Sequence, residues 1–268
     1  MKPAAFTYHR AHSVAGAVEL LAELGEDAKI IAGGQSLVAM MNFRLARPEH
    51  LVDITHLDGL SGIHRDGGAL RIGALTTHRA IEKTDLGPEH RVLSAAMRWV
   101  GHLPIRTRGT VGGSLAHADA TAEWCVLAVL LDAVVVAHGP SGRREIAARE
   151  FLLGPFTTAL EPDEMVVEVV FPRPARRAAL TEYADRRGDF AIVASAVDLD
   201  APGGASVVLG GVGPVPVTVR PTGTGPTAMA DEVAAAIDLR DEPGISAHYR
   251  RGLVRTLTAR AFEEAATR

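Results

Sequence analysis

The chain predicts an α+β protein built in two unequal parts, and three observations carry that expectation. A short apolar strand, a glycine pair, a helix and a second strand follow one another over residues 28–54, the order of a small parallel α/β unit. Two strongly β-branched runs, AVVVA at 133–137 and MVVEVVF at 165–171, read as strands of a larger sheet. The pattern then breaks at PRPARR, residues 172–177, and resumes as strands followed by two helices. With 268 residues the chain is long enough to bury a sizeable core, as one large domain or two unequal ones.

Each element has a local reason. In residues 14–24 the apolar Val14, Ala17, Val18, Leu21 and Leu24 recur at helical spacing, with Ser13 as N-cap and Gly25 as stop. Residues 28–32 form an apolar run ending in Gly33-Gly34; a helix is expected over 37–43 and a strand over 50–54. Residues 69–73 read as a strand, Thr76-Thr77 as the cap of a helix at 78–83, and 91–100 as a further helix. The turn Gly139-Pro140-Ser141-Gly142 returns the strand at 133–137 as a strand at 144–146. Beyond the break, strands are expected near 179–185 and 205–209, around an apolar segment at 190–199. A Gly/Pro-rich stretch at 210–226 precedes helices at 229–237 and 248–265. No internal repeat or heptad is present.

Composition excludes several functions. A net charge of -4 and 4% aromatic residues argue against a general nucleic-acid binder with stacking platforms. No run of ~18 apolar residues occurs, so no membrane span is expected. The opening MKPAAFTYHR lacks the pattern of a signal peptide, and a cytoplasmic protein is expected. The single cysteine, Cys125, rules out an internal disulfide, a cysteine zinc site and an iron–sulfur cluster held by this chain alone, which needs about four thiolates. Electron chemistry here therefore requires an organic cofactor or a partner's metals.

Two glycine segments carry the chemistry. IAGGQSL, residues 31–37, follows a strand and precedes a helix; paired glycines let backbone approach a ligand, and successive N–H groups can cradle an anion. Ser36 adds a hydroxyl and Gln35 an amide. The same segment is also an ordinary strand-to-helix connection. RGTVGGSLAHADATAEW, residues 108–124, repeats the device with Thr110, Gly112-Gly113 and Ser114, and adds His117 and Asp119. Two such segments suit two arms around one diphosphate. Neither matches the P-loop or the G-x-G-x-x-G fingerprint.

With both segments in view, the chain resembles the FAD-binding medium subunit of the molybdenum hydroxylases, the carbon monoxide dehydrogenase and xanthine dehydrogenase family. That family's first loop reads approximately AGG-[HQ]-S-L, here Ala32-Gly33-Gly34-Gln35-Ser36-Leu37. Its second reads approximately IRNRGT-[IV]-GGN-L-x-HADP-x-x-D, here residues 105–123. The likeness extends to FTYHRAHSVAGAVELLAEL near the start, LARPEHLVDI at 45–54, RRGDFAIV at 186–193 and GGVGPVP at 210–216, and so covers nearly the whole chain. Four positions depart from it: Thr107 for Asn, Ser114 for Asn, Ala120 for Pro and Glu123 for Asp.

The resemblance implies a two-lobed FAD-binding domain of the p-cresol methylhydroxylase/vanillyl-alcohol oxidase type at 1–174, with lobes at about 1–56 and 57–174, and a smaller α+β domain at 176–268. It implies one non-covalent FAD between the lobes. It implies a partner large subunit with molybdopterin, a small subunit with [2Fe–2S] clusters, and a dimer of heterotrimers. The chain would be a flavoprotein subunit that relays electrons from the clusters to an external acceptor. By the same resemblance Ala32, Gly33, Gly34, Gln35, Ser36, Leu37, Thr110, Val111, Gly112, Gly113 and Ser114 cradle the pyrophosphate and ribityl chain. Asp119 and Glu123 are candidates for sugar hydroxyls, and the segment from Val100 to Ile105 for the ring side. No residue is assigned as catalytic acid or base, and none as a metal ligand. The competing readings are a self-sufficient flavin oxidase and an assembly protein that has lost its flavin.

Other conspicuous residues have simpler roles. His117 and Asp119 form an H-x-D with no further ligand motif, and Cys125 in an apolar run reads as core. Asp185, Arg186, Arg187 and Asp189 are either a solvated cluster or face the flavin. Arg173, Arg176 and Arg177 read as interdomain surface, and Met40-Met41 as core.

Overall fold

The computed structural model describes all 268 residues, Met1–Arg268. The first lobe is a three-stranded parallel sheet. β1 (Thr7–Arg10) and β2 (Ala28–Ile31) flank β3 (His50–Asp53). Between β1 and β2 lies α1 (Val14–Leu24), with the expected bounds and caps: Ser13 accepts the Gly16 N–H at 2.9 Å, and Gly25, at φ +58, donates to the Leu21 carbonyl. The short α2 (Leu37–Asn42) follows the first glycine pair.

The second sheet holds five antiparallel strands in the order β4-β5-β10-β6-β7. These are β4 (Ile63–Asp66), β5 (Ala69–Gly73), β6 (Val134–Gly139), β7 (Gly142–Ala147) and β10 (Met165–Phe171). Helices α3 (His78–Lys83), α4 (Gly87–Ala96), α5 (Leu103–Arg108), α6 (Val111–His117) and α7 (Glu123–Leu130) fill the connection from β5 to β6. The one-turn α8 (Ala148–Phe151) and the small ribbon β8 (Leu152–Gly154) and β9 (Thr157–Thr158) lead into β10. β10 is apolar along nearly its whole length because both faces are covered. Val169 and Phe171 enter the core under α6 and α7, while Met165, Val167 and Val170 pack against the first lobe.

The third sheet is the antiparallel meander β11 (Ala178–Tyr183), β12 (Val193–Asp198), β13 (Ser206–Gly210) and β14 (Val217–Val219). Its alternation separates two cores. Ala179, Val193, Val197, Val207 and Leu209 pack under α9 (Pro226–Ala236) and α10 (Ala247–Ala266). Ala178, Leu180, Ala194, Ala196 and Val208 face the other way, into the largest core, which also holds Trp124, Leu127 and Phe171. α7 therefore lies between two sheets: all its residues but the half-buried Val129 are buried, and all but Glu123 are apolar.

Several elements differ from the expectation. The helix expected at 91–100 does start after His90, whose φ of -132 and ψ of 18 kink α4; a turn from Gly87 with Pro88 precedes it, and it ends at Ala96 before a turn through Gly101 at φ +46. The second glycine pair is not in a loop: Gly112 and Gly113 form the first turn of α6. β1, β4, β14 and α5 have no counterpart in the sequence pattern. They are three to six residues long, and β14 is an edge strand set among prolines, too short for periodicity to register. At the break in pattern Arg173 bonds Asp198 at 2.6 Å, Asp132 at 3.4 Å and the Leu130 carbonyl at 3.2 Å, tying α7 to the third sheet as the interdomain reading requires. Of the methionine pair, Met41 is buried and Met40 borders the cleft described below.

Candidate functional site

The two glycine segments touch. A Cβ on Gly33 would lie 2.1 Å from the Arg108 carbonyl oxygen, so only glycine lets the turn after β2 sit against the end of α5. Gly34 takes φ +72, and Gln35 folds back to donate to the Gly33 carbonyl at 3.0 Å. The amide N–H groups of Gly33, Gly34, Gln35 and Ser36 have no acceptor in the protein.

The second segment is braced from behind. His78 N–H donates to Gly109 O at 3.0 Å, Val111 N–H to Thr76 O at 3.0 Å, and Gly112 N–H to Ala74 O at 2.9 Å. Thr110 caps α6 by accepting the Gly113 N–H at 3.1 Å, and Ser114 N–H donates to Thr110 O. A Cβ on Gly112 would meet Ala74 Cβ at 2.6 Å, so the glycine is needed for α6 to approach β5. The expectation that this segment offers a run of free amides is therefore corrected: its N–H groups are consumed within the fold. It presents glycine surface and the Thr110 and Ser114 side chains instead.

Both segments border one cleft of about 770 Å³. Ala32 through Leu37, Val100, Thr110, Gly112, Gly113, Ser114 and Glu123 line it. Gly101 and Ile105 line it too, held by Arg106, which donates to the Val100 and Gly101 carbonyls at 3.1 and 3.0 Å. Two of the predicted residues do not reach it. Val111 is fully buried in the core beneath, and Asp119 turns back to accept from the Thr121 N–H and hydroxyl at 2.8 and 2.7 Å. From the third sheet's side Gly188, Asp189 and Phe190 complete the mouth, so part of the RRGDF charge cluster faces the cleft; Arg186 pairs with Asp189 at 3.0 Å and stays in solvent.

Some cleft residues carry no local sequence signal. His78 is buried, and Trp124 Nε1 donates to its Nδ1 at 2.9 Å. Burial, with the Arg106 charge adding, pushes His78 down to about 4, so the ring is neutral and accepts. At the mouth the His117 ring packs 5.0 Å from Phe156 and 6.5 Å from Phe190, and burial lowers its basicity. Phe156 stands at φ +56 and donates its N–H to Ala118 O. These contacts join residues 46 or 39 apart (Trp124 to His78, Phe156 to His117), which no spacing rule reveals. Cys125 is fully buried and its thiol is pushed strongly up, the behaviour of a core residue.

The fold and cleft define a two-lobed α+β protein with one large cleft walled by both glycine segments, and comparison with known proteins gives the family. Residues 4–174 match the family described as FAD binding domain in molybdopterin dehydrogenase. The 6-hydroxypseudooxynicotine dehydrogenase complex subunit alpha of Paenarthrobacter nicotinovorans is 41% identical, covering 99% of this chain and 96% of the relative. The carbon monoxide dehydrogenase medium chain of Afipia carboxidovorans is 34% identical, covering 100% and 99%. Among solved structures, quinoline 2-oxidoreductase from Pseudomonas putida 86 superposes with a TM-score of 0.91 at 34% identity, covering 100% of this chain and 99% of that one. The chain belongs to the FAD-binding medium subunits of the molybdenum hydroxylases. It is the electron-transferring flavoprotein subunit of a multi-subunit oxidoreductase, with FAD as its own cofactor and molybdenum and iron–sulfur groups on other subunits. No helix is long and apolar enough to cross a membrane.

Proposed function

We propose that the cleft between the two glycine segments holds the FAD, with the diphosphate on the first segment. The four successive amides of Gly33 to Ser36, without acceptors in the protein and on the cleft wall, are the observation that carries this reading. Ser36, Thr110 and Ser114 offer side-chain hydroxyls beside them. Gly112 and Gly113 supply a wall that a ligand can approach closely. Glu123 borders the cleft as a candidate for sugar hydroxyls, and Val100, Gly101 and Ile105 form an apolar edge suited to a planar ring. Val111 and Asp119 act from behind, through the α6 core and the turn into α7.

Bound FAD supplies the redox chemistry, accepting and releasing two electrons singly or together. The protein binds and orients it, and the neutral His78 and the apolar core behind the wall keep water from that side. The chain's single, buried cysteine cannot hold an iron–sulfur cluster, and we assign the clusters to a partner small subunit and molybdopterin to a large one. We assign the assembly as a cytoplasmic dimer of heterotrimers, checked by the mass of the purified complex in sedimentation.

An absorption spectrum of the purified subunit, before and after denaturation and with added FAD, tests the cofactor assignment. FAD bound in about one-to-one ratio and released on denaturation is expected. A folded chain that takes up no FAD, alone or with its partner subunits, would overturn it.

A further inference from the structure

The apolar edge of the cleft is a turn that its own backbone does not hold. Val100 and Gly101 lie between the end of α4 and the start of α5, and both line the cleft. Gly101 takes φ +46, and a Cβ there would lie 2.9 Å from the Ile105 side chain, so only glycine lets the turn rest on α5. No backbone hydrogen bond is made by the N–H or C=O of either residue. Both carbonyls instead accept from one atom, Nη1 of Arg106, at 3.1 and 3.0 Å.

The guanidinium is itself fixed from behind. Its Nε donates to Glu82 Oε2 at 3.2 Å, and Arg79 donates to the same oxygen at 2.6 Å. The Arg79 and Arg106 guanidinium groups hold the Glu82 carboxyl below the usual carboxylate range, so this anchor is charged at neutral pH. Arg106 is largely buried and, unlike Val100, Gly101 and Ile105, does not line the cleft. It acts from the protein side of the turn. In a planar trans peptide the C=O and N–H point in opposite directions. With the Val100 carbonyl turned back to Arg106, the Gly101 N–H faces the other way, toward the cleft, and it has no acceptor in the protein.

We propose that Arg106 is a positioning residue for the redox ring of the cofactor: anchored by Glu82, it locks the Val100–Gly101 turn so that the Gly101 amide donates to an acceptor atom of the bound ring and favours its reduced form. The proposal rests on the assignment of the cleft to FAD, with the ring at this edge. Reduction adds two electrons and one proton, FAD + 2e⁻ + H⁺ → FADH⁻, the electrons being supplied in the complex by the iron–sulfur groups. It leaves a negative charge on the ring. A fixed donor gains strength as that charge develops, whereas a turn free to rotate would present a carbonyl as readily as an amide. Holding the peptide one way therefore raises the midpoint potential without bringing the cation into the cleft.

The test uses the purified complex. A dye-coupled redox titration, with the flavin-free complex subtracted, gives the midpoint potential of bound FAD; flavin fluorescence after denaturation gives its occupancy. Arg106→Lys keeps the charge but lacks the planar fork that reaches two carbonyls and Glu82 together. It is expected to retain FAD and to lower the preference for the reduced form about tenfold, the worth of a hydrogen bond to a charged acceptor, or about 30 mV for a two-electron couple. Glu82→Gln leaves Arg106 without its charged anchor and is expected to lower the same preference about threefold. The sign separates positioning from a simple field, because removing a negative charge from a rigid site would raise the potential. A wild-type potential in Arg106→Lys, or an unchanged or raised potential in Glu82→Gln, would overturn the proposal. Should Arg106→Lys fail to fold or lose its FAD, Glu82→Gln decides alone. Absence of FAD from the wild-type complex would instead remove the cleft assignment, and the proposal with it.

Discussion

The two glycine segments look alike in sequence and are built in opposite ways. The second is over-determined: Thr110 caps α6, Ala74 and Thr76 accept its amides, and His78, held by Trp124, braces Gly109. The first is hardly held by itself. Ser36 makes no capping bond to α2, and the four amides before α2 lack acceptors, so the turn is placed by contact of Gly33 with Arg108. One segment is a rigid wall whose polar groups are already satisfied. The other leaves its backbone amides free and borrows its rigidity from the first. Repeated glycine pairs therefore need not mean repeated function: the missing Cβ serves close packing at both Gly33 and Gly112, and only the first segment leaves its amides free.

Breaking the contact between the segments has the largest expected effect. Gly33→Ala sets a Cβ against the Arg108 backbone; it should cost about 3 kcal/mol, the upper end for overpacking, and abolish FAD binding. Thermal unfolding and the flavin absorbance per chain check both. Gly113→Asp separates ligand from fold. The new Cβ would meet only the Thr110 hydroxyl, at 2.8 Å, so the chain should fold but lose FAD by bulk and charge. Normal FAD occupancy in a folded Gly113→Asp protein would sink the placement of the cofactor against α6.

The brace itself should titrate. An unfolded histidine takes up a proton near its ordinary value of 6.5, whereas His78 in the fold resists until about 4. Its contribution to stability is thus present above about pH 6.5 and lost as pH falls toward 4, by roughly 3 kcal/mol in all. Unfolding temperature against pH for the wild type and His78→Gln measures it, the variant having a flatter curve in that window. Smaller effects divide the two segments cleanly. Thr110→Ala should cost about 1 kcal/mol and ~3 °C in Tm through the lost cap. Ser36→Ala should leave Tm unchanged and weaken FAD about fivefold, the worth of one net hydrogen bond. If instead Thr110→Ala altered only FAD affinity and Ser36→Ala only stability, the division of labour would be reversed.

By itself the sequence determined the local structure that rests on near neighbours. α1 between Ser13 and Gly25, the β6–β7 hairpin around its turn, β10 and β5 are legible because caps, glycine stops and apolar periodicity act within a few residues. The ordered motifs carried the family and the cofactor, since their glycines and hydroxyls lie in two short runs. Tertiary structure alone decided which amides remain free. The acceptors that consume the N–H groups of Val111 and Gly112 belong to Thr76 and Ala74, dozens of residues earlier. It alone placed His78 behind the wall and Phe156 at the mouth. It also turned Val111 and Asp119, which the motif groups with their neighbours, away from the cleft. A motif specifies which groups are available along the chain, whereas burial, hydrogen-bond competition and charge proximity depend on segments that meet only when the three sheets pack.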